Sequence, residues 1–200
     1  MAGRAAASAI VMAGGHSSRM GEPKALLKVG LVTIIERTVT ELRRAFSEVI
    51  VVAGVPGDVG FTLPKLDAVM VFDSVPFEGP LMALKVGLGA ARGEMAFVCS
   101  CDAPGLRAEV GLALCAAIGK HDAAVPVIDG RFQPLLAVYH KRSLAEIETL
   151  LATGERRLRA LLARLSVRVF EEGEMRKVDP DLASLTNVNT PEAYRAWLNR

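Results

Sequence analysis

The chain has 200 residues, a length that suits one domain. Hydrophobic residues make up 51% of it and charged residues 23%, so it can bury a core of its own and is not disordered. Its formal net charge of +2 gives no electrostatic basis for binding duplex nucleic acid, and no apolar run is long enough to predict a membrane span.

Short apolar runs rich in Val, Ile and Ala predict strands of a parallel sheet that is covered on both faces. In chain order they are SAIVM (8–12), EVIVVA (48–53), AVMVF (68–72), MAFVCS (95–100), DAAVPV (122–127), QPLLAVYHK (133–141) and VRVFEE (167–172). The first run could also be the apolar part of a signal peptide. It leads directly into HSSRMGEPK without a cleavage site, which favours a buried strand.

Segments with an apolar residue every three or four positions alternate with these runs and predict helices. They cover residues 33–46, 81–92, 107–120, 143–153, 155–165 and 190–199. Gly154 separates the fourth helix from the fifth, and Pro191 lies in the first turn of the last. The alternation predicts a single α/β domain over residues 1–200, with right-handed crossovers.

The segment after the first strand, MAGGHSSRMGEPK, offers almost no apolar surface for a core. Gly14 and Gly15 allow a close backbone approach, so that successive N–H groups can point at oxygens. Ser17 adds a hydroxyl donor, Arg19 a planar fork and Lys24 a mobile positive charge. A solvated turn is the alternative interpretation, but this combination after a buried strand favours binding of a triphosphate.

Two common phosphate loops do not fit this segment. A P-loop requires Ser or Thr after its lysine, and here Ala25 follows Lys24. The dinucleotide fingerprint G-x-G-x-x-G is broken by Gly14-Gly15-His16. The segment therefore predicts a nucleotide-binding loop of a third kind.

Two aspartates come directly after predicted strands. Asp73 follows AVMVF and Asp102 follows MAFVCSC, so both are expected at the carboxyl edge of the sheet, where α/β folds bind ligands. Each could be only a turn or cap residue. Their shared edge with the first loop favours a functional site that includes Asp102.

Three cysteines are an odd number in a chain that needs no disulfide to fold, which indicates a reducing, cytoplasmic setting. Cys99 and Cys101 form a C-x-C pair within an apolar strand, without partners for a tetrahedral metal site. They are interpreted as small buried hydrophobic residues.

The segment MAGGHSSRMGEPKALL resembles the nucleotide-binding signature of the molybdenum cofactor guanylyltransferase family, with Met12 in place of the usual Leu. The segments DSVPFEGPLMALKVGL, CDAPGL, GRFQPLLAVYHKRSL, GERRLRALL and NVNTPEAY resemble later blocks of that family in the same order. The resemblance thus covers nearly the whole chain. It implies a Rossmann-like nucleotidyltransferase fold with three α/β/α layers and a mostly parallel central sheet.

The family's reaction transfers GMP from GTP to the terminal phosphate of molybdopterin, with Mg²⁺, and releases pyrophosphate. The attacking phosphate oxygen is already anionic, so positioning and charge stabilisation should carry the rate. By resemblance Arg19, Lys24 and Asp102 are the catalytic residues, and Asp102 is the Mg²⁺ ligand. The implied nucleotide-binding residues are Met12, Ala13, Gly14, Gly15, Ser17, Arg19, Lys24, Asp73, Gly79, Pro80 and Asp102.

The choice of base depends on the same loop. Family members with Ala-Gly-Gly use GTP, whereas related cytidylyltransferases carry Ala-Ala-Gly. By this resemblance Ala13-Gly14-Gly15 favours guanine, because Gly14 has no side chain and leaves room for the larger base. Gly54 stands where members often carry an Asn that contacts the nucleotide, which leaves a molybdopterin cytidylyltransferase as an alternative. Another NTP:phosphate nucleotidyltransferase and a non-catalytic cofactor carrier are further alternatives.

The segment NVNTPE is the candidate acceptor site. Asn187 and Asn189 offer neutral donors and acceptors for a pterin edge or a phosphate, whereas capping of the last helix, with Thr190 as cap, is the structural alternative. The arginines at 156, 157, 159 and 164 favour a solvated helix face over an acceptor site. Transient contact with molybdoenzymes or other cofactor-biosynthesis proteins is expected of a monomer or weak oligomer.

Overall fold

The computed structural model describes residues 5–14, 23–54, 62–72 and 79–199. The described strands are β1 (Ala5–Met12), β2 (Lys28–Val29), β3 (Val32–Thr33), β4 (Phe46–Ala53), β5 (Val69–Phe72), β6 (Met95–Ser100), β7 (Ala123–Ile128), β8 (Arg131–Phe132), β9 (Leu136–His140) and β10 (Val167–Glu171). The described helices are α1 (Ile34–Ala45), α2 (Pro80–Ala90), α3 (Ala108–Ala117), α4 (Leu144–Ala152), α5 (Leu158–Leu162), α6 (Glu172–Val178) and α7 (Pro191–Leu198). Within these ranges no helix combines the length and the apolar character needed to cross a membrane.

One eight-stranded sheet runs through the middle of the domain. Its order is β10-β7-β9-β6-β1-β4-β5, with β8 paired to β7. β1 lies parallel to both β4 and β6, while β9 runs antiparallel to β6 and β7. The prediction of a mostly parallel sheet is thus confirmed. Because β1, β4, β5 and β6 point the same way, the segments that follow them leave from one carboxyl edge.

Both faces of the sheet are buried, which explains the absence of polar alternation in the strands. Along β1, Ala9 and Val11 belong to the core under α1, α3 and α6, while Ile10 and Met12 belong to the core under α2, α4 and α5. In the first core the rings of Phe46 and Phe97 stack with centroids 5.9 Å apart. The three-layer α/β/α prediction is therefore confirmed.

Several predicted elements begin or end at other residues in the structure, and glutamates lie at two of these changed ends. The fifth helix begins at Leu158 rather than at residue 155, and before it the Glu155 carboxylate accepts hydrogen bonds from the N–H groups of Arg156 and Arg157. The strand β10 ends at Glu171, which forms a capping box with Glu174 and starts α6. The short hairpin of β2 and β3, the strand β8 and α6 were not predicted from the sequence.

Two glycines of α2 provide a test of the packing. A Cβ at the buried Gly87 would lie 2.7 Å from Ile10 Cγ2, whereas a Cβ at the exposed Gly89 would meet nothing within 4 Å. We expect Gly87→Ala to lower the free energy of unfolding by about 1–3 kcal/mol through overpacking, and Gly89→Ala to leave it unchanged or raise it by up to about 1 kcal/mol. Urea unfolding of both variants measures the difference. Equal effects would contradict this packing of α2 on β1.

Candidate active site

The structure places part of the predicted site. Four predicted residues, Gly15, Ser17, Arg19 and Asp73, lie outside the described residues. The others that it describes are Met12, Ala13, Gly14, Lys24, Gly79, Pro80, Asp102, Asn187 and Asn189.

The first loop starts at the centre of the sheet. Met12 is the last residue of β1, and its carbonyl accepts a hydrogen bond of 3.1 Å from the N–H of Cys101, just beyond β6. On the other side, the Ala13 N–H donates to the carbonyl of Val52 at 2.8 Å, and Gly14 then leaves the sheet half-buried. β1 lies between β4 and β6, both reached by crossovers, and ligands bind α/β sheets at such a point.

Asp102 lies two residues beyond the end of β6 and is 9% exposed. Its carboxylate oxygen Oδ2 is 3.5 Å from the ammonium nitrogen of Lys24. Its other oxygen, Oδ1, is buried and finds no hydrogen-bond partner among the residues that the structure describes. A buried carboxylate oxygen without a donor is costly, so this oxygen, unpaired within the described ranges, is a candidate to contact a bound group or cation.

Lys24 joins Asp102 to the C-terminal segment. It begins a short 3-10 turn after Pro23, and its side chain is 23% exposed. In addition to Asp102, its ammonium group donates a hydrogen bond to the side-chain oxygen of Asn189, which is 165 residues away in the chain. The structure thus brings together one residue from each of three separate segments, and every one of them was predicted for the site.

The segment that carries Asn189 is attached to the strand ends. The buried Val188 packs with Leu27 and Ile34, and its N–H donates to the Asp102 carbonyl at 2.9 Å. Thr190 caps α7 as predicted, since its hydroxyl accepts a hydrogen bond from the N–H of Ala193. The cap therefore does not use Asn187 or Asn189, which are both exposed at the site.

A cavity of about 200 Å³ adjoins Asp102. Cys99 and Leu136 are among its apolar walls, and Gln133, Ser184 and Asn187 contribute polar groups. Sequence reasoning did not single out Gln133 or Ser184. No local signal could have shown them, because they reach the cavity from segments that only the folded chain brings next to β6.

The N-terminus of α2 lies at the same edge of the sheet. Gly79 has a φ of +82° and Pro80 follows as the first helical residue. A Cβ at Gly79 would lie 3.4 Å from the Cβ of Arg156, which places the loop between α4 and α5 beside this helix end.

The neighbouring arginines of that loop and of α5 behave as predicted for a solvated surface. Arg157 forms a double hydrogen bond with Glu155, at 2.9 and 2.6 Å, and this partner holds the pKa of Glu155 at about 2. Arg164 pairs with Glu146 at 3.3 Å. Arg157, Arg159 and Arg164 are exposed, and two of these three are already engaged by acidic residues of the chain.

The two cysteines next to Asp102 are buried, as predicted. Cys99 is 1% exposed and Cys101 8% exposed. Desolvation, followed by the nearby charge of Asp102, raises the pKa of Cys101 to about 12. Its thiol therefore stays neutral in the physiological range.

Asp102 fits a divalent cation. The described residues contain no group of three His, Cys, Asp or Glu side chains placed to hold a metal ion. Mg²⁺ does not require such a group, since it is commonly bound by one or two carboxylates together with substrate phosphates and water. The buried Oδ1, which has no donor in the part of the chain that the structure describes, is the kind of oxygen that such an ion would satisfy.

Comparison with known proteins identifies the family of the chain. The family model of the MobA-like NTP transferase domain matches residues 9–169. A protein of Methanosarcina mazei named probable molybdenum cofactor guanylyltransferase is 38% identical, over 92% of this chain and 87% of its own length. The molybdenum cofactor guanylyltransferase of Desulfosudis oleivorans is 35% identical, over 94% of this chain and 92% of its own.

Solved structures share the fold. The molybdopterin-guanine dinucleotide biosynthesis protein A of Archaeoglobus fulgidus is similar with a TM-score of 0.83 and 24% identity, over 96% of this chain and 97% of that one. The 2-C-methyl-D-erythritol 4-phosphate cytidylyltransferase of Thermus thermophilus is similar with a TM-score of 0.71 and 19% identity, over 97% of this chain and 100% of that one. At these identities the likeness concerns the fold alone.

Proposed function

Because the chain belongs to the MobA-like NTP transferase family and is a nucleotidyltransferase, we propose that it transfers GMP from GTP to the terminal phosphate of molybdopterin. The products are molybdopterin guanine dinucleotide and pyrophosphate. The names of its relatives, at 35–38% identity over more than nine-tenths of this chain, support guanine and molybdopterin as substrates. The reaction is the transfer of one guanylyl group from a triphosphate to an anionic phosphate.

The convergence of Lys24, Asp102 and Asn189 carries this proposal. A cation of the nucleotide loop, a buried carboxylate and an exposed carboxamide meet at the carboxyl edge of β1 and β6. Nucleotidyl transfer needs these groups together, because charge must be neutralised where two highly negative substrates meet.

In the proposed reaction an oxygen of the acceptor phosphate attacks the α-phosphorus of GTP, and the bond from that phosphorus to the pyrophosphate oxygen breaks. Lys24 donates to phosphate oxygens in place of its present partners, and we assign Arg19 the same task. Asp102 would hold Mg²⁺, which supplies charge neutralisation on the phosphates. No general base is required, because the attacking oxygen is already anionic.

The acceptor side of the site is assigned to the exposed carboxamides of Asn187 and Asn189. Asn187 lines the cavity beside Asp102, and Asn189 contacts the catalytic lysine. An acceptor held there has its phosphate next to the groups that bind the triphosphate. We further propose a cytoplasmic enzyme, in keeping with its three free cysteines, that passes its product to molybdoenzymes through transient contacts.

Base preference tests the guanylyl assignment. We expect calorimetry with Mg²⁺ to show GTP bound about 10-fold or more tightly than CTP. Gly14→Ala should weaken GTP binding and leave CTP binding nearly unchanged, because the added methyl group takes space that the purine needs. Equal affinities, or tighter CTP binding, would contradict guanine and favour the cytidylyltransferase alternative.

A further inference from the structure

The carboxylate of Asp179, which follows α6, is completely buried, and both of its oxygens accept hydrogen bonds. Its Oδ1 accepts a hydrogen bond of 3.1 Å from the N–H of Ala183, and its Oδ2 accepts one of 2.8 Å from the N–H of Ser184. Arg107 completes the set, with its Nε 3.2 Å from Oδ1. A buried charge is tolerated only when it is paired and hydrogen-bonded in this way.

These contacts join two segments of the candidate active site. Arg107 belongs to the loop that begins with Asp102 after β6, while Ala183 and Ser184 begin the stretch that leads to Asn187 and Asn189. A second hydrogen bond joins the same segments, since the Arg107 N–H donates to the Ser184 hydroxyl at 3.1 Å. The two segments also touch backbone to backbone, because a Cβ at Gly105 would lie 2.7 Å from the Ala183 carbonyl oxygen.

The backbone between Asp179 and Ala183 adopts a conformation that needs support. Leu182 has a φ of +51°, in the left-handed region that a bulky residue rarely adopts. The hydrogen bond from its N–H to the Asp179 carbonyl, at 3.0 Å, and the two carboxylate contacts just beyond it hold this bend. Asp179 therefore fixes the direction in which the chain continues from α6 into residues 183–189.

We propose that Asp179 is a positioning residue, which fixes residues 183–189 against the Asp102 loop so that Asn187 and Asn189 face the acceptor. The inference rests on the proposed function, in which these two carboxamides bind molybdopterin. Val188 anchors the far end of the segment through the Asp102 carbonyl, and Asp179 anchors the near end. Both anchors bind partners on the Asp102 loop, namely the Asp102 carbonyl and the Arg107 side chain.

Asp179→Asn tests this role, because it keeps the size of the side chain and removes the charge that faces Arg107. We expect the KM for molybdopterin to rise about 10-fold or more, since misplacing a substrate-binding group by ~1 Å can cost up to 10²-fold. The Kd for GTP, measured by calorimetry, should change by less than about twofold. Hydrogen exchange at the amides of residues 183–188 should accelerate, while exchange in β1 stays as in the wild type.

Asp122→Asn is the matched control. Asp122 also pairs with an arginine, Arg142 at 2.5 Å, and accepts a backbone N–H, that of Ser166 at 2.9 Å. It lies before β7, at the opposite edge of the sheet from Asp102, so its substitution should change neither the KM for molybdopterin nor exchange in residues 183–188. Arg107→Gln provides a second, milder variant, since this side chain is 46% exposed. We expect it to raise the KM for molybdopterin and to accelerate exchange in residues 183–188, each by less than Asp179→Asn does.

Three results would overturn the inference: an unchanged KM for molybdopterin, unchanged exchange in residues 183–188, or an equal loss of GTP and acceptor binding. The proposed function is tested separately by the wild-type protein. If the wild type released no pyrophosphate from GTP with molybdopterin, the proposed function would fail. Hydrogen exchange of Asp179→Asn would still decide whether this carboxylate positions the segment.

Discussion

Asp102→Asn is expected to reduce pyrophosphate release from GTP by at least about 10²-fold while the protein keeps its full stability. The carboxylate is the candidate ligand of the divalent cation, and a carboxamide of the same shape carries no charge for it. The stability is expected to stay the same or to rise, because the substitution removes a buried, charged oxygen that has no donor among the described residues. Lys24 keeps Asn189 as a partner.

The measurement combines single-turnover release of pyrophosphate with thermal unfolding of the same preparations. Asp129→Asn serves as the control, since this exposed aspartate lies beyond β7 at the same edge of the sheet and has a φ of +48°, which Asn tolerates. We expect its activity to stay within about twofold of the wild type. Full turnover by Asp102→Asn would exclude Asp102 from the mechanism. A loss of activity together with a large loss of stability would instead assign it a structural role.

Lys24→Met is expected to lower kcat/KM for GTP by about 10- to 100-fold, the range for loss of a charge-assisted hydrogen bond of roughly 1.5–3 kcal/mol. In contrast to Asp102→Asn, it should also lower the free energy of unfolding by about 1–3 kcal/mol. The reason is that the Asp102 side chain, 13% exposed, loses its positive partner. Both variants are therefore expected to lose activity. Asp102→Asn should keep or raise the free energy of unfolding, whereas Lys24→Met should lower it.

Steady-state kinetics and urea unfolding of Lys24→Met measure both effects. Lys85→Met is the matched control, because this lysine pairs with Glu148 at 3.3 Å on the outer surface of α2 and is 38% exposed. Its exposed pair should contribute at most about 1 kcal/mol and nothing to turnover. A Lys24→Met enzyme as active as the Lys85→Met enzyme would refute the assignment of Lys24 to the triphosphate.

The sequence by itself determined most strands of the sheet and predicted a nucleotide loop after the first of them. Apolar runs such as SAIVM and MAFVCS predict buried strands because consecutive residues in them are apolar. The capping of α7 by Thr190 involves two residues that are only three positions apart. Such signals are local, so they can be read without knowledge of the fold. Asp102 was also accessible in this way, because a polar residue after a buried strand leaves the sheet at its carboxyl edge.

Only the tertiary structure decided which of these residues meet. The antiparallel β9 lies between β6 and β7, and this order sets Gln133 beside the cavity at Asp102. The contact of Lys24 with Asn189 spans most of the chain, and the buried pair of Asp179 and Arg107 joins two loops. Local sequence signals do not encode these contacts. They depend on the order of the strands and on the need of each buried polar group for a partner, and both are settled only when the whole chain packs.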